Sequence, residues 1–115
     1  MPPREWRLRV EDILESIHRV MRYTEGMDEA SFAEDDKTVD AVLRNMTVIG
    51  EAARAIPPEV EARYPNVPWE KMRGFRNVVV HEYFGVSVPI LWRTVRTNLP
   101  PLIVDLEQIL SDLED

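Results

Sequence analysis

Apolar residues recur every three or four positions along most of this chain, and no stretch alternates apolar and polar residues over the length of a strand. This spacing places apolar side chains on one face of an α-helix. Asp28 is predicted to cap a short helical turn between two long helices. The first long helix is predicted to end near Gly26 and to bury Trp6, Val10, Ile13, Leu14, Ile17, Val20 and Met21. The second is predicted from about Asp36 to Ile56, with a buried face made of Val39, Val42, Leu43, Met46, Ile49, Ala53 and Ile56.

Prolines divide the second half of the chain. Pro57–Pro58 is predicted to end the second long helix and to open a short one, because proline is tolerated in a first helical turn. Further helices are predicted to begin near Trp69 and, with Ser87 as cap, at residue 88. Pro100–Pro101 is expected to break that helix and to open a last one, which buries Leu102, Ile103, Leu106, Ile109, Leu110 and Leu113. The prediction is an all-α fold, an antiparallel up-and-down bundle of about five to six helices that spans residues 1–115 as one domain.

Composition narrows the class of protein. The chain has 115 residues, of which 44% are hydrophobic, and its apolar runs are too short for a membrane span. The N-terminus lacks the apolar segment of a signal peptide, and the absence of cysteine rules out disulfides and thiolate zinc sites. A cytoplasmic protein is expected. The net charge of −7 and the pI of about 4.8 disfavour a DNA-binding module, so contact with RNA requires a local basic patch.

The segment "RNVVVHEY" at residues 76–83 combines an apolar core with Arg76, Asn77, His81 and Tyr83. On a helix with about 100° per residue, Arg76 and Tyr83 share one face and Asn77 and His81 another, while Arg76 and His81 lie about 140° apart. Arg76 and His81 can converge through the reach of the arginine, through local unwinding, or by meeting counterparts from a second copy of the chain. A site built from two chains is the simplest of the three.

These residue types suit the cleavage of RNA by its own 2′-hydroxyl. Histidine supplies a proton donor or acceptor near neutral pH, and arginine supplies a fixed positive fork for the phosphate. Asn77 can orient the imidazole or donate to a phosphate oxygen. The chemistry needs no metal or cofactor, and the sequence has no clear metal-ligand cluster. An arginine and a histidine five residues apart also arise often by chance, and a histidine beside valines more often packs in a core or an interface.

The segment resembles a known family. "RNVVVHEYFGV" matches the R-x4-H-x-Y motif of the HepT-like toxins, a branch of the HEPN superfamily. "DAVLRNMTVIGEAARAIP" is similar to the second long helix of that family, "YPNVPWEKMRGFRN" to its approach to the motif, and "WRTVRTNLPPL" to its closing segment. The resemblance covers nearly the whole chain. It implies a helical bundle that forms a homodimer and acts as a metal-independent endoribonuclease, with the active site in the cleft between protomers.

The resemblance also implies residue roles. Arg76 and His81 become the catalytic pair, and Asn77 fills the polar position that follows the arginine. Tyr83 fills the position that a cognate minimal nucleotidyltransferase antitoxin (MntA-like) modifies with AMP in a type VII toxin–antitoxin system. A local basic patch for RNA is expected from Arg73, Arg93 and Arg96. The alternative is a non-catalytic helical module that binds nucleotide or a nucleotidyltransferase.

Other residues of interest have structural interpretations beside functional ones. Gly50, inside the second long helix, is expected to allow another helix to approach closely. Glu51 and Arg54 either form a solvated surface pair or line the cleft. Large aromatic residues at helical spacing are more often core than base-stacking platforms, and this applies to Trp6, Trp69 and Trp92.

Overall fold

The structure, a computed structural model, describes the backbone of residues 3–81 and 87–113 and the side chains of residues 5–75 and 87–113. Within these ranges every regular element is helical, which confirms the all-α prediction. A π-helical turn, Thr94–Asn98, joins the last two α-helices without a gap, so the described chain forms six helical runs. The α-helices are α1 (Pro3–Tyr23), α2 (Glu29–Glu34), α3 (Asp36–Arg54), α4 (Pro58–Arg63), α5 (Trp69–His81), α6 (Val88–Arg93) and α7 (Leu99–Leu113).

Two aspartates set the helix starts that follow α1. The turn after α1 contains Gly26 at φ 78°, a left-handed conformation that suits glycine. Asp28 then caps α2 as predicted: its carboxylate accepts from the Ser31 amide at 2.8 Å, and the Ser31 hydroxyl accepts from the Asp28 amide at 3.0 Å. Asp35 caps α3 by accepting from the Thr38 amide at 3.0 Å. These backbone hydrogen bonds lower the pKa of both carboxyl groups.

The core lies where α1, α3, α5 and α7 meet. α3 packs against α1 on one side and α5 on the other, and α7 packs against α1. The apolar faces predicted for the first, second and last helices are confirmed, because each of their residues is buried or packs against the core. Trp6 and Trp69 are also buried, which supports their structural interpretation. Fully burying a valine, leucine, isoleucine, phenylalanine or methionine side chain contributes about 1.5–3 kcal/mol, so burial of these apolar faces stabilises the bundle.

Pro100 and Pro101 do not break the chain into separate helices, contrary to expectation. They lie in the first turn of α7, directly after the π-helical turn. Proline lacks an N–H and its ring crowds the carbonyl four residues earlier, so an α-helical continuation would be strained there. The π-helical turn widens the helix, with the Leu99 N–H donating to the Thr94 carbonyl. The helical run therefore continues through the prolines.

Polar contacts fix the start of α5. The Trp69 indole N–H donates to the Tyr64 carbonyl at 3.0 Å, and the Tyr64 hydroxyl donates to the Asp112 carboxylate on α7 at 2.7 Å. Burial, together with this hydrogen bond, raises the pKa of Tyr64, and the bond lowers the pKa of Asp112. The loop before α5 is thus tied to both α5 and α7. None of the described helices combines the length and the apolar character needed to cross a membrane.

Candidate active site

The helix α5 carries three of the four residues predicted for the site. Its backbone is α-helical from Trp69 to His81, so Arg76, Asn77 and His81 lie on one continuous helix. The side chains of these three residues and the whole of Tyr83 lie outside the described residues. Because the backbone between positions 76 and 81 is regular, local unwinding does not bring the two positions together. The reach of the arginine and a second copy of the chain are the alternatives that stay open.

The backbone places position 76 on the inner face of α5. It follows Trp69 by seven residues and Met72 by four, which is about 20° and 40° around the helix axis. Trp69 and Met72 are buried, at 4% and 0% exposure. Position 76 therefore continues the face of α5 that packs on the bundle.

Position 81 belongs to a different face. It follows Gly74 by seven residues, about 20° around the axis, and position 77 lies about 60° from Gly74. A Cβ added to Gly74 would meet no heavy atom of the described residues within 4 Å, so these residues leave room beside the helix at Gly74. The arginine and histidine positions thus lie on an inner and an outer face of one helix.

Two shallow depressions flank Gly74, and it lines both of them. The polar depression lies between the end of α3 and α5 and is lined by Arg54, Glu70, Arg73 and Gly74. The apolar depression lies between α5 and the segment from the π-helical turn into α7, and is lined by Pro68, Lys71, Gly74, Phe75, Thr94, Asn98 and Leu102. Sequence reasoning missed Lys71, Gly74 and Asn98. The signal that could have found this place is a glycine inside a helix, two residues before Arg76.

The three arginines expected to form a basic patch have different surroundings. Arg73 is half-buried and forms an ion pair with Glu61 on α4, at 2.8 Å. Arg96 lies over the Trp92 ring, 4.4 Å from the guanidinium carbon to the ring centroid, and donates to the backbone carbonyls of Thr24 and Met27.

Through these contacts, Arg96 binds the turn that follows α1, which is a structural role. Arg93, by contrast, is exposed on α6. RNA binding by the three arginines stays a prediction. Within the described part of the chain, no three histidine, aspartate or glutamate side chains are grouped to hold a metal ion.

Comparison with known proteins identifies the family. Residues 13–109 match the sequence profile described as "Ribonuclease HepT-like". The chain belongs to the HepT-like ribonuclease family. A Thermococcus cleftensis protein named as a ribonuclease HepT is 37% identical over 100 residues, 87% of this chain and 91% of that protein. A Methanocaldococcus jannaschii protein named as an RNase is 37% identical over 114 residues, 99% of this chain and 94% of that protein. The chain has no significant match among solved structures.

Family membership confirms the resemblance seen in the sequence. It assigns ribonuclease activity at the level of the HepT-like family. The R-x4-H-x-Y residues lie inside the matched range, on and directly after α5. Helix α5 therefore carries most of the motif.

Proposed function

We propose that this chain is a metal-independent endoribonuclease whose active site is completed by a second copy of the chain. One observation carries the proposal: the backbone of α5 is a regular α-helix from Trp69 to His81, in a chain that belongs to a ribonuclease family. A regular helix separates positions 76 and 81 by about 140°. In a symmetric dimer that brings the two α5 helices together, the long arginine side chain of one protomer can reach around its helix toward the histidine of its partner.

The proposed reaction is transesterification within the RNA. The 2′-oxygen bonds to the adjacent phosphorus, the bond from phosphorus to the 5′-oxygen breaks, and the products end in a 2′,3′-cyclic phosphate and a 5′-hydroxyl. One proton leaves the 2′-hydroxyl and one reaches the 5′-oxygen. His81 transfers protons because imidazole titrates near neutral pH. Arg76 stabilises the charge on the pentacoordinate phosphorus, and Asn77 orients the imidazole or a phosphate oxygen.

Cleavage assays test this chemistry directly. The wild-type chain is expected to cleave RNA in EDTA, and Arg76→Ala and His81→Ala are each expected to lose that activity while keeping helical circular dichroism. His18→Ala is the matched control, because His18 is the other histidine of the chain and is exposed on α1. A strict requirement for magnesium or manganese contradicts the proposal, as does full activity in His81→Ala.

The two-chain site predicts complementation between inactive variants. Light scattering is expected to give twice the chain mass of 13.4 kDa. When equal amounts of Arg76→Ala and His81→Ala chains exchange partners, about half of the dimers contain one chain of each variant. Each such dimer has one intact site, where a wild-type dimer has two. About a quarter of wild-type activity is therefore expected to return. If Arg76 and His81 of one chain act together, the mixture stays inactive. An active monomer also refutes the shared site.

We further propose that the chain is the toxin of a type VII toxin–antitoxin pair and is inhibited at Tyr83. A cognate nucleotidyltransferase would join the Tyr83 oxygen to the α-phosphorus of ATP, releasing pyrophosphate and the phenolic proton. A free phenol has a pKa of about 10 and is a poor nucleophile by itself, which suits modification by a partner enzyme. The added phosphodiester is an anion that would compete with RNA phosphate for Arg76.

Mass spectrometry tests the inhibition. With the nucleotidyltransferase and ATP, the chain is expected to gain about 329 Da per AMP unit, the phosphate-bearing adenylyl group, at Tyr83, and to lose ribonuclease activity. Tyr83→Phe is expected to escape modification and to retain cleavage. AMP found on another residue, or a modified protein that is fully active, contradicts this mechanism.

A second function is favoured by one observation, the net charge of −7. A chain this acidic repels RNA at long range, and a non-catalytic module that binds nucleotide or a nucleotidyltransferase has no such difficulty. A wild-type chain that binds the nucleotidyltransferase and cleaves no RNA supports this alternative.

A further inference from the structure

Gly74 is an unexplained glycine in the interior of α5. Glycine weakens a helix relative to alanine, because it loses more backbone freedom on folding. Tight packing against a neighbour would explain it, but a Cβ added there meets no heavy atom within 4 Å in the part of the chain that the structure describes. Its backbone dihedrals are those of an α-helix rather than of a left-handed turn. Among the described residues, none therefore explains this glycine, which leaves room for a bound molecule beside the helix.

The surroundings of Gly74 indicate what that molecule is. The polar depression on one side carries Arg54 and Arg73, and the apolar depression on the other carries Lys71. With Glu70 in the lining and Glu61 paired to Arg73, three basic side chains stand against two carboxylates, in a chain whose net charge is −7. The local charge is opposite to that of the whole chain and is complementary to an anion.

The two depressions differ in the chemistry that they offer. Arg54 ends α3, is exposed, and presents a forked donor of the kind that binds phosphate oxygens. The apolar depression offers the half-buried Phe75 and, beside it, the Asn98 amide and the Thr94 hydroxyl. An apolar floor with a few polar groups at its edge suits a nucleobase.

We propose that a single strand of RNA crosses α5 over Gly74, with a phosphate in the polar depression at Arg54 and a base in the apolar depression beside Phe75. This rests on the proposed ribonuclease function and specifies the path of its substrate. A single strand is required, because only an unpaired base can leave its stack and enter a depression. Position 81 lies on the same face of α5, about 10 Å further along the helix axis, so the path leads toward the histidine position.

Binding of an uncleavable RNA tests the path separately from catalysis. The probe is a fluorescein-labelled, single-stranded 2′-O-methyl oligoribonucleotide, followed by fluorescence anisotropy with the full chain. Gly74→Leu fills the crossing point and is expected to weaken binding about tenfold or more, the size of losing one stacked base. Arg54→Gln is expected to weaken binding and to reduce the slope of log affinity against log salt by about 0.7, the value for one phosphate contact to a single strand.

Matched controls separate this effect from general changes. Ala62→Leu places the same leucine side chain at an exposed site on α4, and Arg22→Gln removes the same charge near the end of α1. Both controls are expected to bind like wild type. Because Arg54 is exposed and is expected to be dispensable for folding, Arg54→Gln keeps the proposal testable even if Gly74→Leu fails to fold.

The outcomes distinguish this inference from the proposed function. If the wild type cleaves and binds RNA while Arg54→Gln and Gly74→Leu keep wild-type affinity, the path is wrong and the ribonuclease proposal stands. If the wild type neither binds nor cleaves RNA, the proposed function itself fails. If Gly74→Leu halves the mass seen by light scattering and leaves the RNA affinity of the folded chain unchanged, a second copy covers this face and the path is refuted.

Discussion

Replacing Arg96 with alanine is expected to destabilise the fold, even though Arg96 is an exposed residue. Its guanidinium lies over the Trp92 ring and donates to two carbonyls in the turn after α1, those of Thr24 and Met27. Helix ends leave carbonyls without an intrahelical donor, and Arg96 supplies a donor here from a distant segment. Trp92 also packs against Phe32 of α2, with the ring centroids 5.0 Å apart. The variant removes the link between this aromatic pair and the turn.

The size of the effect follows from the contacts. Hydrogen bonds from a charged donor contribute about 1.5–3 kcal/mol when well formed, and an exposed cation–π contact about 0.5–1 kcal/mol. Water replaces part of the lost bonding because Arg96 is exposed, so a loss of about 2 kcal/mol is expected for Arg96→Ala. With an unfolding entropy of about 2.1 cal/mol/K per residue and 115 residues, this lowers Tm by about 8 °C. Arg96→Lys keeps the charge but loses the forked donor and the stacking on Trp92. Its Tm is therefore expected to lie between those of the wild type and Arg96→Ala.

Thermal unfolding by circular dichroism, at one fixed protein concentration, measures the effect. Arg93→Ala is the matched control: it removes the same side chain and charge three residues earlier, at an exposed position on α6. Surface substitutions of this kind change stability by less than about 0.5 kcal/mol, here roughly 2 °C. Equal Tm values for Arg96→Ala and the wild type would refute the structural role. Lower RNA affinity with unchanged stability would instead support the RNA-binding role predicted from the sequence.

Three further predictions follow from other contacts. Gly74→Ala is expected to raise Tm by about 4 °C, since alanine favours a helix by about 1 kcal/mol and its Cβ meets no neighbour among the described residues. A lower Tm means that the fold itself needs this glycine. Glu61→Gln releases Arg73 from its ion pair and is expected to change stability by less than about 1 kcal/mol while strengthening RNA binding; unchanged affinity excludes Arg73 as a phosphate ligand. The hydrogen bond from the Thr38 amide lowers the pKa of Asp35 in the folded chain. This carboxylate therefore stabilises the fold above its unfolded pKa of about 3.9. The stabilisation is lost as pH falls through the lower pKa of the folded chain. Asp35→Asn keeps a capping oxygen that does not titrate, so the Tm advantage of wild type over this variant is expected to shrink from pH 7 to pH 2; a constant difference contradicts the role of the carboxylate.

Some features of this protein were predictable because they depend on residues within one or two helical turns. The apolar periodicity fixed which faces of the first, second and last helices are buried. Asp28 and Ser87 were identified as caps because the side chain of a cap bonds to an amide two or three residues later. The R-x4-H-x-Y motif identified the family because its residues stand close together in the sequence.

Other features were decided only by the tertiary structure, because they depend on contacts between distant segments. From the sequence alone, Arg96 is predicted to bind RNA. In the folded chain it donates to the carbonyl of Thr24, 72 residues away. The same packing pairs Arg73 with Glu61, and the described residues leave room for a Cβ at Gly74. The partner of a long side chain, or the space above a glycine, depends on which helices become neighbours. That choice is made by the burial of the whole core, and no local pattern encodes it.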